Sequence, residues 1–272
     1  MKKINSERYD EKYFTVNNGC GSYEYWKKYQ EKRVDPRLTY AIKLANIHKG
    51  EKILDFACGR GEVTVQAGIK GAFACGIDYS RDAISFGQES LKFLDKKITD
   101  KISFMHHDSD FLPFKDESFD VIFFLDIIEH VYPEELNIIL KELHRVLKTG
   151  GRLILHTSPN KVYYNIGYKY YTRFVYFILS KLFYEPILGR KLKYNKNPRS
   201  IYELEMHINE QTTKSVLQSL NNSGFILVKV FLKDSFLVKG VMSFFQYVFI
   251  QPSLIFFLRP IFSNNIWSIA KK

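Results

Sequence analysis

The residues best equipped for chemistry fall in two places along the 272-residue chain. In the first, Leu54-Asp55-Phe56-Ala57-Cys58-Gly59-Arg60-Gly61 carries an apolar run into a glycine turn, and Glu62-Val63-Thr64 then opens a helix. Glycine lets the backbone turn tightly and approach a ligand closely, and a helix N-terminus offers unpaired N–H groups to it. A dinucleotide fingerprint would need glycine at position 64, where the chain has Thr64, so NAD fails on spacing. Asp78, in Gly76-Ile77-Asp78-Tyr79-Ser80, closes a second apolar run. One carboxylate there has lone pairs for two adjacent ribose hydroxyls, while Ser80 is the better-placed helix cap. The second place follows another apolar run and holds Asp126, Glu129 and His130, with His207 far along the chain. Histidine titrates near neutral pH and suits removal of a proton from a hydroxyl nucleophile. Glu129 either orients the His130 ring or acts itself; packing at a helix start is the competing role for His130, and helix capping for Asp126. His156 reads as a hydrogen-bonded core residue. Cys20, Cys58 and Cys75 lack CxxC or Cys/His spacing, so neither a disulfide framework nor a metal is expected.

Parallel strands joined by crossover helices are what position such residues. Short apolar runs at 52–56, 73–78, 102–106, 119–125 and 152–156 alternate with amphipathic segments, the pattern of an α/β sheet. In the clearest helix Pro133 stands in the first turn, Glu134 and Glu135 face the positive end of the dipole, and Leu136, Ile139, Leu140, Leu143, Val146 and Leu147 form one face. Gly150-Gly151 is expected to end it. A helix near 211–220 and strands at 225–232 and 265–271 complete the regular part.

Together these residues resemble the class I S-adenosylmethionine-dependent methyltransferases. The likeness runs over 9–159 and resumes over 207–271. Residues 54–61 look like the family's first motif and Asp78 like its ribose-binding acid. His107-Asp108-Ser109-Asp110-Phe111-Leu112-Pro113-Phe114 resembles the adenine-side loop, Ser118-Phe119-Asp120-Val121-Ile122 and Ile128-Glu129-His130-Val131 the fourth strand and its exit, and Leu147-Lys148-Thr149-Gly150-Gly151-Arg152-Leu153 the approach to the fifth. The resemblance implies an α/β fold: a seven-stranded Rossmann-like sheet with helices on both faces, its last two strands an antiparallel hairpin, and here two aromatic-rich insertions. It implies S-adenosylmethionine as cofactor, held by Asp55, Ala57, Gly59, Gly61, Asp78, Tyr79, Asp108, Ser109 and Asp126. Asp55 lies near the methionine ammonium, Asp78 on the ribose, Asp108 on the adenine amino group, Ser109 beside the ring, and Asp126 faces the sulfonium. Ala57 stands where the family has glycine, and an Ala at negative φ would shift the loop. Candidate catalytic residues are His130, Glu129 and His207; His106 and His107 are structural or adenine-adjacent.

Composition speaks to the acceptor. The chain is 46% hydrophobic and 16% aromatic with a formal net charge of +11. Of that charge, residues 161–200 hold nine Lys or Arg against one Glu, a net of +8, interleaved with Tyr and Phe. Such a mixture serves single-stranded nucleic acid, a membrane interface, or a helical cap whose rings pack on the sheet. A second block, 236–262, is nearly uncharged and holds eight aromatics, which suits acyl chains better than phosphates. Beyond the fourth strand, Asp126-Ile127-Ile128-Glu129 replaces the Asn/Asp-Pro-Pro-aromatic pattern of methyltransferases acting on base amines. The expectation is therefore methyl transfer to a hydrophobic or lipid-linked small-molecule or glycan acceptor at oxygen, with peripheral membrane contact. An RNA methyltransferase using the basic insertion and a non-catalytic S-adenosylmethionine-binding protein are the alternatives, with nucleic acid the less favoured partner.

The organisation expected is an N-terminal helical cap region at 1–50, a cofactor-binding core at 51–160, a basic aromatic substrate lid at 161–206, and the rest of the core at 207–272 with its apolar insertion at 236–262. The first residues lack the apolar run of a signal peptide, and the stretch 241–258 is broken by Gln246, Gln251, Pro252 and Ser253, so no spanning helix is expected. A cytoplasmic setting, at the inner face of the membrane, fits these features.

Overall fold

A computed structural model describes residues 4–15, 35–109, 111–189, 191, 194–234 and 246–272. Cys20 with the rest of 16–34 in the expected cap region, Asp110 of the adenine-side loop, and 236–245 of the second insertion lie outside the described residues.

Strands β1 (Lys52–Phe56), β2 (Phe73–Asp78), β3 (Ile102–His106), β4 (Phe119–Leu125), β5 (Leu147–Thr157), β6 (Ile226–Leu232) and β7 (Ile266–Lys271) form one seven-stranded sheet in the order β3-β2-β1-β4-β5-β7-β6. The first five are parallel, and β7 inserts antiparallel between β5 and β6. Alternate residues of a strand face opposite sides, and β4 shows both sides buried. Ile122 and Phe124 point into a core with Leu54, Leu140, Leu143 and Leu220, from helices α5 (Pro133–Val146) and α6 (Thr213–Asn222). Val121 and Phe123 point into the other, with Ala41, Ala67 and Trp267, under α2 (Pro36–Ala45) and α3 (Glu62–Ile69). Helix α4 (Arg81–Leu91) follows β2, and a short α1 (Glu11–Thr15) packs on α4.

Strand order reverses between β1 and β4, which opens a crevice at their carboxyl ends; in open α/β sheets that crevice holds the ligand. The carboxyl ends of β1 and β2 and the loops after β1, β2, β3 and β4, which carry the candidate residues other than His207, all reach it.

Helix α5 departs from expectation at its end. It stops at Val146, and Leu147 already pairs with Phe119, so Gly150 and Gly151 lie within β5. The ladder shifts register between Phe119 and Val121, and Gly150 takes a positive φ of 78° there. The glycines thus serve an irregular strand entry in place of a helix stop.

The first insertion begins as a helical arm, residues 161–188, in which Tyr163–Thr172 and Ser180–Tyr184 open into π turns around the α-helical Arg173–Leu179. Wider turns move side chains off the 3.6-residue repeat, which is why the sequence shows no periodicity here. Tyr163 and Tyr168 are buried against Phe262, and Gly167 admits the Ile261 carbonyl where a Cβ would sit 2.4 Å from it. Tyr171 Oη donates to the Phe249 carbonyl (3.0 Å) and Thr172 Oγ1 to that of Ile250 (3.1 Å). The two insertions therefore form one body. Among the described residues no helix is long and apolar enough to cross a membrane.

Candidate active site

The turn after β1 is left-handed at three residues. Ala57, Gly59 and Gly61 have φ of 55°, 53° and 79°. Ala57 thus adopts the conformation that glycine takes more cheaply, at roughly 1–2 kcal/mol. The expected shift of the loop through an Ala at negative φ does not occur, because the neighbouring bonds, Cys58 N–H to the Ile77 carbonyl and Gly61 N–H to that of Cys58 (both 2.9 Å), hold the turn. Gly61 is required for space as well: a Cβ would lie 2.4 Å from the Phe104 ring.

This turn aims backbone at the end of β2. Gly59 N–H donates to Asp78 Oδ2 and Ser80 N–H to Oδ1, each at 2.9 Å, while the Ser80 hydroxyl accepts from Ala83 and caps α4. Asp78 is therefore released from capping and keeps a further lone pair on each oxygen. Asp55 accepts both Thr64 N–H (3.1 Å) and Thr64 Oγ1–H (2.7 Å). Burial pushes Asp55 up to about 7 and Asp78 up to about 6, against the hydrogen bonds each accepts. Two buried carboxylates so placed are short of donors, and a ligand bearing an ammonium and hydroxyls would supply them.

The other side of the site is built at the end of β4. Asp126 has φ 57° and does not cap the short turn Ile128–His130 that follows. Its Oδ2 meets Arg37 Nη1 at 2.8 Å and its Oδ1 meets His156 Nδ1 at 2.6 Å. Burial works against the Asp126 charge, but the Arg37 guanidinium and the His156 ring outweigh it and hold the carboxyl well below its usual range. Asn265 accepts from His156 Nε2 (2.9 Å) and donates to Asp234 (2.6 Å), so this chain of bonds runs on to the segment after β6. His130 sits edge-to-face on His207, ring centres 4.8 Å apart, with Tyr9 at 6.2 Å on the other side. Burial and the His207 ring depress the His130 imidazolium to about 4, so the ring is neutral, and its Nδ1 is buried with no hydrogen-bond partner. Glu129 turns away: it accepts from Thr157 Oγ1 (2.8 Å) and Ser158 N–H (3.4 Å), and burial with the nearby Asp126 charge pushes it up to about 8.

A cavity of about 220 Å³ joins the two sides. Asp55, Ala57, Gly59, Asp78, Tyr79, Asp108 and Ser109 line one end, and Asp126 and His130 the other beside apolar Leu38, Leu125, Ile127, Val131 and Ile139. Gly61 packs beneath it, and Glu129 and His207 stand behind His130, outside its wall. No described residue of 161–206 or 246–262 lines it. Among the described residues the first insertion meets the site through the helix Ile201–Met206 that ends it, where Tyr202 meets Tyr13 and the Met206 backbone bonds His130.

Two groups in the wall are not singled out by the sequence. Tyr9, Tyr13 and Phe14 roof the cofactor end, fixed by Ser80 Oγ–H donating to the Tyr9 carbonyl (2.6 Å) and by buried Arg60 donating to that of Phe14 (3.1 Å). The spacing of Tyr9 and Tyr13 in a charged segment is the signal that marks them. Arg37 is the second, announced only by Asp35-Pro36, the cap and first-turn proline that start α2.

Residues 54–155 match the family model of the methyltransferase domain. Over 172 residues the chain is 31% identical to the demethylmenaquinone methyltransferase of Bacillus pumilus, covering 61% of this chain and 68% of that one. The chain belongs to the class I S-adenosylmethionine-dependent methyltransferases. The demethylmenaquinone methyltransferase of Staphylococcus epidermidis is similar too, 32% identical over 181 residues, covering 64% and 67% of the two chains. In fold, this methyltransferase is similar to phosphoethanolamine N-methyltransferase 2 of Haemonchus contortus solved with S-adenosylmethionine, at a TM-score of 0.59 and 17% identity over 99% of this chain and 60% of that one. S-adenosylmethionine is the methyl donor, and the methyltransferase's donor-poor Asp55 and Asp78 suit its ammonium and ribose hydroxyls.

Proposed function

We propose that this methyltransferase acts on a hydrophobic, lipid-linked ring acceptor carrying an ionisable hydroxyl, and methylates that oxygen. The observation that carries the reading is the acceptor end of the cavity, where a neutral His130 with an unpartnered Nδ1 stands among apolar side chains. Similarity to demethylmenaquinone methyltransferases supports the same acceptor class.

When bound, S-adenosylmethionine supplies an electrophilic methyl group on a positively charged sulfur. In our reading Asp78 would accept from the ribose hydroxyls, Asp55 would face the ammonium, Asp108 and Ser109 would border the adenine, and Tyr79 with the 57–61 backbone would complete the cradle. Leu125, Ile127, Val131 and Ile139 exclude water from the acceptor ring, which makes a hydroxylate there a stronger nucleophile and fixes its approach. His130 Nδ1 would take the proton that the hydroxyl loses as the methyl group passes from sulfur to oxygen. Asp126, kept ionised by Arg37 and His156, offsets the charge of the resulting imidazolium. Glu129 and His207 act through His130: Glu129 anchors its turn to the end of β5, and His207 packs the ring in place.

The test is a series of hydroquinones differing only in isoprenoid tail length, with kcat/KM read for each and the methylated atom fixed by NMR. Each methylene newly buried should contribute about 0.8 kcal/mol, or roughly fourfold, until the tail leaves the protein. Rates indifferent to the tail, or no transfer to the ring at any atom, would remove the acceptor class; a methyl on ring carbon would move the site of attack and keep the class.

A further inference from the structure

We infer that the joined insertions form a docking face for an anionic lipid bilayer. The inference extends the reading of a lipid-linked acceptor, which would reach the enzyme from that surface, and rests on it for its purpose.

Phe174 of the arm is 59% exposed, and in the second insertion Phe249, Phe256 and Phe257 are 58%, 80% and 76% exposed. Each such ring carries on the order of 150 Å² of apolar surface, so at these exposures the four leave roughly 400 Å² to water, as much as the largest apolar patches of soluble monomers, which are often functional. The bonds from Tyr171 and Thr172 to the Phe249 and Ile250 carbonyls make these rings parts of one body.

Charge decides the occupant. Arg259 lies over the Phe256 ring at 5.6 Å and Lys169 over Tyr170 at 4.9 Å, so rings are paired with cations that stay at the water side. Rings at acyl depth with cations at headgroup level are the habit of interfacial segments. The arm and its continuation to residue 200 carry nine Lys or Arg against one Glu, which matches anionic headgroups. The most exposed rings, by contrast, lie in 246–262, where Arg259 is the single charged residue. Nucleic acid would need phosphate-binding cations around those rings; acyl chains need none.

The experiment is co-sedimentation of the full chain with vesicles of phosphatidylcholine mixed with phosphatidylglycerol, against phosphatidylcholine alone and against single-stranded RNA. Strong binding to the mixed vesicles is expected, weak binding to the neutral ones, and attenuation by salt because part of the attraction is Coulombic. Phe256→Ser with Phe257→Ser should weaken vesicle binding about tenfold or more while thermal midpoint and S-adenosylmethionine affinity stay unchanged. Failure to bind anionic vesicles, a double variant that binds as well as the parent, or RNA binding without vesicle binding overturns the proposal. Turnover on a detergent-dispersed hydroquinone is read separately. A protein that methylates it but ignores vesicles loses the docking face alone, and one that binds vesicles but methylates no ring loses the acceptor alone.

Discussion

At the carboxyl edge of β1 and β2, single residues fix the geometry: Asp78 is aimed by two backbone N–H groups, and Gly61 leaves room for one ring of Phe104. Among the described residues of the joined insertions Gly167 alone has that status, under the Ile261 carbonyl, and it fixes packing rather than a polar atom in the cavity. There, π turns, buried tyrosines and exposed phenylalanines share the work, and the described residues stop short of the cavity wall. The difference is that the cofactor end must present a few polar atoms to one fixed molecule, which demands particular residues at particular positions. The lipid-facing surface we propose for the insertions would demand only composition, rings with cations, and would tolerate many arrangements.

The comparison breaks first at His130. Replacing it by Gln should lower kcat by about 10²–10⁴, the usual worth of a positioned general base, and leave S-adenosylmethionine affinity by calorimetry unchanged. A fall in kcat below tenfold would return His130 to a packing role. Asp78→Ala should weaken S-adenosylmethionine by about a hundredfold, from two lost hydrogen bonds to a charged acceptor, with Asp78→Asn intermediate and vesicle binding intact in both. If vesicle binding fell too, the two regions would not be separable.

Acidity sharpens the same contrast. Burial raises Asp78 to about 6 and Asp55 to about 7, and a ligand that donates to the ionised forms binds only after they lose their protons. Affinity for S-adenosylmethionine should therefore fall by about tenfold per pH unit between pH 7 and 6, where Asp55 alone takes up a proton, and by about a hundredfold per unit below pH 6, where both do, and titration calorimetry in several buffers should show protons released on binding near neutrality. His130 moves the opposite way: its imidazolium is lowered to about 4, so the folded protein binds fewer protons than the unfolded chain between that value and the ordinary 6.5. Its contribution to stability is present above that window and is lost as pH falls through it. The smallest effect is expected at the departure from glycine. Ala57→Gly should raise stability by about 1 kcal/mol, the left-handed strain less the entropy of glycine, and leave activity untouched.

Much of the core is legible in the sequence, since four of the five parallel strands begin and end where their apolar runs do, and Asp78, Ser80 and Gly59 fall where turn chemistry puts them. The misreadings have local causes. Gly150-Gly151 looks like a helix stop, but a strand entry with a register shift uses the same residues. Ala57 argues for negative φ by its Cβ, yet bonds from Cys58 and Gly61 force the turn. Arg37 and the roof of Tyr9, Tyr13 and Phe14 come from outside the strand-loop pattern, and only the folded chain brings them to Asp126 and Asp78. In the arm, the wider turns remove the periodicity by which helices are read.

The proposed lipid-linked ring acceptor is tested most directly by giving the enzyme S-adenosylmethionine with a tritium-labelled methyl group, a membrane lipid extract and total RNA in one reaction and following the label. Label is expected in the organic phase, on a species that co-migrates with a hydroxylated isoprenoid ring, and should be lost in His130→Gln. Label retained in the RNA, or in water-soluble products alone, would contradict the proposal.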